Sequence, residues 1–253
     1  MMSNKHIYIG TCGWSYEHWK DDFYKGIAKN NWLRFYAEKF SAIEINSTFY
    51  RLQHRKTFRH WRDETPEDFH FSIKANRYLT HNKKLNDPIP SIEIECEHAH
   101  ALGNKLVAVV WQLPSNFYKN VNRLHEFARA LKYWPNTRHV MEFRHASWFD
   151  QEVSQCLSDY NIAVCISDAV DWPQWDTVTT DLAYVRLHGH TRTYASTYSK
   201  SSLMFWAKRA NNWFTEDRDV HVYFDNDAEG AAPYDALRLI KLIKEVSTIK
   251  QHA

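Results

Sequence analysis

Short runs of β-branched and aromatic residues alternate along the chain with longer stretches in which apolar side chains recur every three or four positions. A short apolar run suits a strand buried on both faces, and a 3.6 period suits a helix with one face against a core. Eight strands are predicted, beginning near Ile7, Ala42, Phe69, Leu106, His139, Ile162, Leu182 and Val220. The run from Leu106 to Val110 is apolar throughout, as a covered parallel strand must be. One helical stripe gathers Trp32, Phe35, Tyr36 and Phe40, and a second Val121, Leu124, Ala128 and Leu131. A third holds Phe149, Val153, Cys156, Leu157 and Tyr160, and a fourth Leu203, Trp206, Ala210 and Trp213. Leu239, Leu242, Ile243 and Val246 complete the series. Strands alternating with core-facing helices predict an α/β fold, a TIM-type (β/α)8 barrel.

Two segments break the alternation. Residues 169–181 are too short for a full crossover helix and contain Pro173, so the barrel is expected to be irregular at its sixth crossover. Residues 11–30 are long and rich in aromatics, and are expected to form a lid over the barrel mouth. No repeat, low-complexity stretch or linker divides the chain. A single domain over residues 1–253 is expected, with the barrel spanning residues 5 to 247 approximately.

The length of 253 residues suits one such barrel. A formal net charge of +2 gives no global pull toward nucleic acid or an anionic membrane, although a local basic patch stays open. Lys241, Lys244 and Lys250 are too sparse to make one and read as a solvated helix face and tail. The cysteines Cys12, Cys96, Cys156 and Cys165 form no C-x-x-C pair, which fits a reduced, cytoplasmic chain. No apolar region precedes Ile7 to suggest a signal peptide, and no run is long enough for a membrane span.

Chemistry in this fold gathers at the C-terminal strand ends, where side chains of one parity point inward together. Strand two offers Glu44, Asn46 and Thr48, and strand three Ser72, Lys74 and Asn76. Strand five offers Glu142 and Arg144, and strand seven Arg186 and His188. Strand four ends in Gln112, strand six in Asp168, and strand eight in Asp225 and Asn226. Lys74, Arg144, Arg186 and His188 are donors suited to a phosphate or carboxylate. Trp14, Trp19, Tyr50 and Trp148 are near enough to stack on a ring, and each taken alone reads more simply as packing. Against this stands a structural alternative: the inward charges nearly cancel, and a buried, self-satisfied network explains them as well.

At these residues the chain resembles the DUF72 (YecE-like) family. Gly10-Thr11-Cys12-Gly13-Trp14-Ser15-Tyr16 with Trp19 is similar to that family's opening motif, and Glu44-Ile45-Asn46-Ser47-Thr48-Phe49-Tyr50 to its most distinctive segment. Phe71-Ser72-Ile73-Lys74-Ala75, Thr80-His81 and Gln112-Leu113-Pro114 continue the match. So do Glu142-Phe143-Arg144-His145, Ser147-Trp148-Phe149 and Tyr184-Val185-Arg186-Leu187-His188-Gly189. The resemblance implies a TIM-barrel-like fold, similar in shape to the endonuclease IV and xylose isomerase group, and supplies no reaction. The family tends toward Phe-Asn-Asn at the last strand, where this chain has Phe224-Asp225-Asn226.

Three readings follow. The first is an enzyme acting on an anionic, ring-containing substrate (phosphosugar, nucleotide or nucleic-acid end). Glu44 and Glu142 would serve as acid and base with Asp168 beside them, a carboxylate chemistry typical of hydrolases and lyases. The second is a divalent-metal hydrolase with Glu142, Asp168, His188 and Asp225 as ligands. It is not favoured, because three cations share the mouth, so no metal or other cofactor is assigned. The third is a binding protein without turnover. The expected partner is a small anionic ligand or nucleic acid, and oligomeric state stays open.

Overall fold

The computed structural model of the protein describes residues 5–251, with side chains through Thr248. Met1–Asn4, at the start of the expected single domain, and the Lys250 side chain lie outside that description. Eight strands form one parallel sheet: β1 (Ile7–Thr11), β2 (Ala42–Ile45), β3 (His70–Lys74), β4 (Leu106–Gln112), β5 (Arg138–Glu142), β6 (Ile162–Asp168), β7 (Leu182–Leu187) and β8 (Asp219–Phe224). The outer layer holds α1 (Trp32–Lys39), α2 (Ser47–Tyr50), α3 (Arg55–Asp63), α4 (Ile89–Ala99), α5 (Val121–Ala130), α6 (Gln151–Asp159), α7 (Lys200–Thr215) and α8 (Ala232–Gln251). Each strand begins within one residue of its predicted start. No helix among the described residues is long and apolar enough to cross a membrane.

The sheet order is β1-β8-β7-β6-β5-β4-β3-β2, so hydrogen bonding runs almost all the way around. β1 pairs with β8 along its whole length, from Ile7 opposite Val220 to Thr11 opposite Phe224. Between β1 and β2 there is one isolated bridge, Cys12 to Glu44, made by the Gly13 amide on the Glu44 carbonyl at 2.8 Å. Tyr36 of α1 repairs the rest of this seam. Its buried hydroxyl accepts from the Thr11 amide at 2.8 Å and donates to the Ala42 carbonyl at 3.3 Å. Two backbone groups without strand partners are thereby satisfied by one side chain.

Side chains inside the barrel are graded in size. Ala42, Ala108, Val110, Val140 and Ala163 leave room for the rings of Tyr8, Tyr184 and Tyr223. The two deep tyrosines turn their hydroxyls toward polar partners, as buried hydroxyls must. Tyr184 donates to Glu44 Oε2 at 2.7 Å, and Tyr223 lies 3.0 Å from Ser72 Oγ. The larger apolar cluster lies between barrel and helices and includes the predicted helical stripes, except Tyr160, which is exposed at the end of α6.

The sixth crossover is irregular, as expected: residues 169–181 carry no helix. The lid expected from residues 11–30 is instead a packed aromatic cluster. Trp19 and Tyr24 are buried, Tyr24 stacks on Trp32 at 4.6 Å, and Trp19 Nε1 donates to Asp227 at 2.6 Å. Burying rings of this size is worth roughly 1.5–3 kcal/mol each, which holds the segment down.

Candidate active site

The inward parity of the strands raises Glu44, Lys74, Glu142, Arg186, His188 and Asp225 to the C-terminal mouth. Arg186 stands at the centre and is fully buried. Its Nη2 lies 2.9 Å from Glu44 Oε1 and 3.0 Å from Asp225 Oδ2, and its Nη1 lies 2.8 Å from Glu142 Oε2. Every carboxylate oxygen of the two glutamates is engaged. Glu44 also accepts from Cys12 Sγ and from Tyr184, and Glu142 Oε1 meets Arg144 at 2.5 Å and Ser167 Oγ at 2.8 Å. His188 is buried between Glu142 and Asp225, 3.0 Å from Asp225 Oδ2.

Burial pushes the Glu142 carboxyl up, but Arg144, Arg186 and His188 outweigh it and hold it well below the usual carboxylate range. Asp225 follows the same balance, with Arg186, His188 and Lys74 drawing it down. Burial raises the Cys12 thiol well above its ordinary value, with Asp225 and Glu44 adding to the effect. A thiol so placed is a poor nucleophile.

Above this sealed layer lies a second set that solvent reaches: Asn46, Lys74, His81, Gln112, Arg144, Trp172 and Asp225. The Arg144 guanidinium lies 3.4 Å above the Trp172 ring. Asn46 donates to Asp225 Oδ1 and to the Cys12 carbonyl, each at 3.4 Å. Gln112 sits beside Glu142 in register and donates to the Leu113 carbonyl at 3.1 Å. Lys74 is the odd member. Its Nζ sits 4.1 Å from the centre of the Phe49 ring and has no ion pair within 4 Å among the described residues. Burial, and then Arg186, lower its pKa to about 8. Burial, followed by Lys74, Arg77 and Arg144, lowers His81 to about 4. The surroundings of His81 are therefore electropositive.

Three expected site residues stand elsewhere. The inward residues of β6 are Ala163, Cys165 and Ser167, so Asp168 points outward, where it accepts from Trp206 Nε1 of α7 at 3.2 Å. It is not gathered with Glu142, His188 and Asp225, and those three face Arg186. Asn226, one residue past the inward Asp225, also turns away and donates to Asp235 of α8 at 2.7 Å and to the Ser196 carbonyl at 2.9 Å. Trp148 is buried against Phe143, and its Nε1 donates to the Phe117 carbonyl at 2.7 Å, which makes it packing. Trp14 and Tyr50 line a cavity beside the mouth. Sequence reasoning assigned no role to Ser167, Tyr184, His81 or Trp172. Parity with Arg186 and His188 pointed to Tyr184 alone; Ser167 has the parity opposite to Asp168, and Trp172 lies in the irregular crossover, where no period guides the eye.

Residues 8–253 match the family model described as "Protein of unknown function DUF72". The UPF0759 protein YunF of Bacillus subtilis is 28% identical over 274 aligned positions, covering 94% of each chain. The UPF0759 protein YecE of Escherichia coli K12 is 34% identical over 79 residues, 31% of this chain and 27% of YecE. A DUF72 family protein from Thermotoga maritima superposes with a TM-score of 0.83 at 26% identity, covering 94% of this chain and 99% of that one. A sugar phosphate isomerase/epimerase from Parabacteroides distasonis shares the barrel alone, with a TM-score of 0.55 at 11% identity over 94% of this chain and 96% of that one. By the extent of the family match, which spans nearly the whole chain and every strand of the barrel mouth, this chain belongs to the DUF72 family.

Proposed function

We propose that the barrel mouth binds a small anionic, ring-containing molecule and performs acid–base chemistry on it. The observation that carries this reading is Lys74. Arg144 and Arg186 are paired with carboxylates, whereas Lys74 is buried next to Arg186 with Glu142, Asp225 and Glu44 near but none of them within ion-pair distance. An amine placed this way costs stability, and an incoming phosphate or carboxylate offsets that cost. Held as an ammonium by that anion, the same group is a proton donor, and its pKa of about 8 before binding lets it take up that proton close to neutral pH. Asp225, whose side chain keeps 14% of its exposure, is the carboxylate in reach of a ligand. Glu44 and Glu142 act from beneath, by fixing Arg186 and Arg144. They are positioning residues in this reading, in place of the acid and base roles first expected of them.

The test is Lys74→Met, followed by calorimetric titration with phosphorylated ring compounds and by equilibrium unfolding. Affinity should fall at least about tenfold, the loss of one charge-assisted contact. Stability at pH 7 should rise by about 0.5–2 kcal/mol, as when a functional strain is relieved. The sign follows from the lowered pKa: between about 8 and the ordinary 10.5 the unfolded chain binds more protons, so the wild-type protein gains stability across that window. The variant should lose this rise. A variant less stable than the wild type, with no anionic ring compound bound by either, would sink the proposal.

A further inference from the structure

Beside the mouth, on its β1–β2 side, lies a cavity of about 450 Å³. That volume falls in the range of small-molecule sites. Its apolar wall is made by Trp14, Tyr16, Leu33, Ile45, Tyr50 and Trp61. Trp14 and Trp61 meet edge to face at 5.1 Å and 89°, which makes a corner of two indoles. Tyr50 is 72% exposed and packs only edge-on against its neighbour Phe49 among the described rings. Asn46 belongs to both places: it lines this cavity and hydrogen-bonds Asp225 in the mouth.

We infer that this cavity holds the base of a nucleotide whose phosphate meets Lys74, an assignment that rests on the anion site proposed above. The walls decide the class of ring. A sugar brings directed hydroxyls around its whole rim, and a lining in which indole, phenol and aliphatic groups stand beside Asn30, Ser47, His60 and Glu64 pairs some of them and leaves others against carbon. A nucleobase brings two π-faces and a few edge groups. The faces suit the exposed Tyr50 ring and the indole corner, because base–aromatic stacking tolerates any base. Asn30, Ser47, His60 and Glu64 stand in the lining to meet the edge. Asn46, between the two places, falls where the sugar would cross.

The experiment is isothermal titration of the whole chain with nucleoside monophosphates, ribose phosphate and inorganic phosphate. Tyr50→Ala, Trp61→Leu and Lys74→Met are titrated alongside the wild type. Nucleoside monophosphates should bind at least about tenfold more tightly than ribose phosphate, the usual worth of a stacked base. Tyr50→Ala should remove most of that advantage and leave ribose phosphate binding as it was, while Lys74→Met weakens both. Tyr50 is exposed, so this variant tests the site even where Trp61→Leu perturbs packing. Equal affinity for nucleotide and ribose phosphate, unmoved by Tyr50→Ala, would overturn the base site and leave the anion site standing. Binding of neither phosphate compound would overturn both.

Discussion

Replacing Arg186 by methionine keeps the stem of the side chain and removes the charge that Glu44, Glu142 and Asp225 face together. Breaking a buried ion network from one side costs about 3–5 kcal/mol, because the remaining charges stay buried. Urea unfolding at pH 7 should show that loss, and the dependence of stability on acid pH should weaken. In the wild type the Glu142 and Asp225 carboxyls sit below their unfolded values. Their contribution is therefore present above about pH 4 and is lost as pH falls further. In Arg186→Met, Arg144 and His188 still hold Glu142 down while Asp225 loses its largest opposing charge, so the stability lost on acidification should shrink. A variant that tracks the wild-type pH profile would show that the network is not coupled through Arg186. The sequence made this group of residues legible, because one inward parity joins Glu44, Glu142, Arg186 and His188. Depth was not legible. Parity gives the direction of a side chain, and it leaves open that Glu44 is bound by Tyr184 with every oxygen engaged while Lys74 rests on the Phe49 ring without an ion pair.

At the scale of the element, the errors at the strand ends have one cause, the choice between adjacent residues. β6 is buried on both faces, so its sequence carries no alternation to show which residues enter the barrel. The last polar residue, Asp168, was read as inward, and the inward one is Ser167. Likewise Asp225 and Asn226 are adjacent at the exit of β8, and only one of two neighbours faces inward. This difference is testable. Asp168→Asn should leave ligand affinity at the mouth unchanged, because its contact is with Trp206 outside the barrel. Asn226→Ala should cost about 1–3 kcal/mol, since it strips a buried partner from Asp235, and should also leave affinity unchanged. Loss of binding in Asp168→Asn without loss of stability would return that residue to the site. The elements themselves were legible, since a short apolar run and a 3.6 period are distinct signals wherever strand and helix alternate. The segment 11–30 was misjudged because aromatic content alone does not separate a lid from a plug. The partners Asp227 and Trp32, which decide it, are distant in sequence or in face.

On the scale of the whole molecule, seven of the eight strand junctions are ladders, one of them with a register shift between Phe71 and Ser72 of β3, and the β1–β2 junction is a seam. The backbones come close there. A Cβ built on Gly10 would lie 2.0 Å from the Ala42 carbonyl oxygen, so only glycine fits. Tyr36 holds the two edges through one hydroxyl, and the cavity assigned to the base is bounded by Gly13, Ile45 and Asn46 just above. Opening of the barrel should therefore begin at this junction and deform that cavity first. Tyr36→Phe keeps the ring and removes the hydroxyl, leaving the Thr11 amide and the Ala42 carbonyl buried without that partner. The expected cost is about 1–3 kcal/mol. Hydrogen exchange should locate the change: amides of β1 and β2 should lose protection, while those of β4 to β7 stay near wild type, since local openings draw on the weakest junction. Nucleotide affinity should fall with it, and inorganic phosphate affinity should not, because Lys74 pairs in register with Val110 of β4, away from the seam. Uniform loss of protection around all eight strands would mean instead that the barrel opens only as a whole, and that the seam is as firm as any other junction.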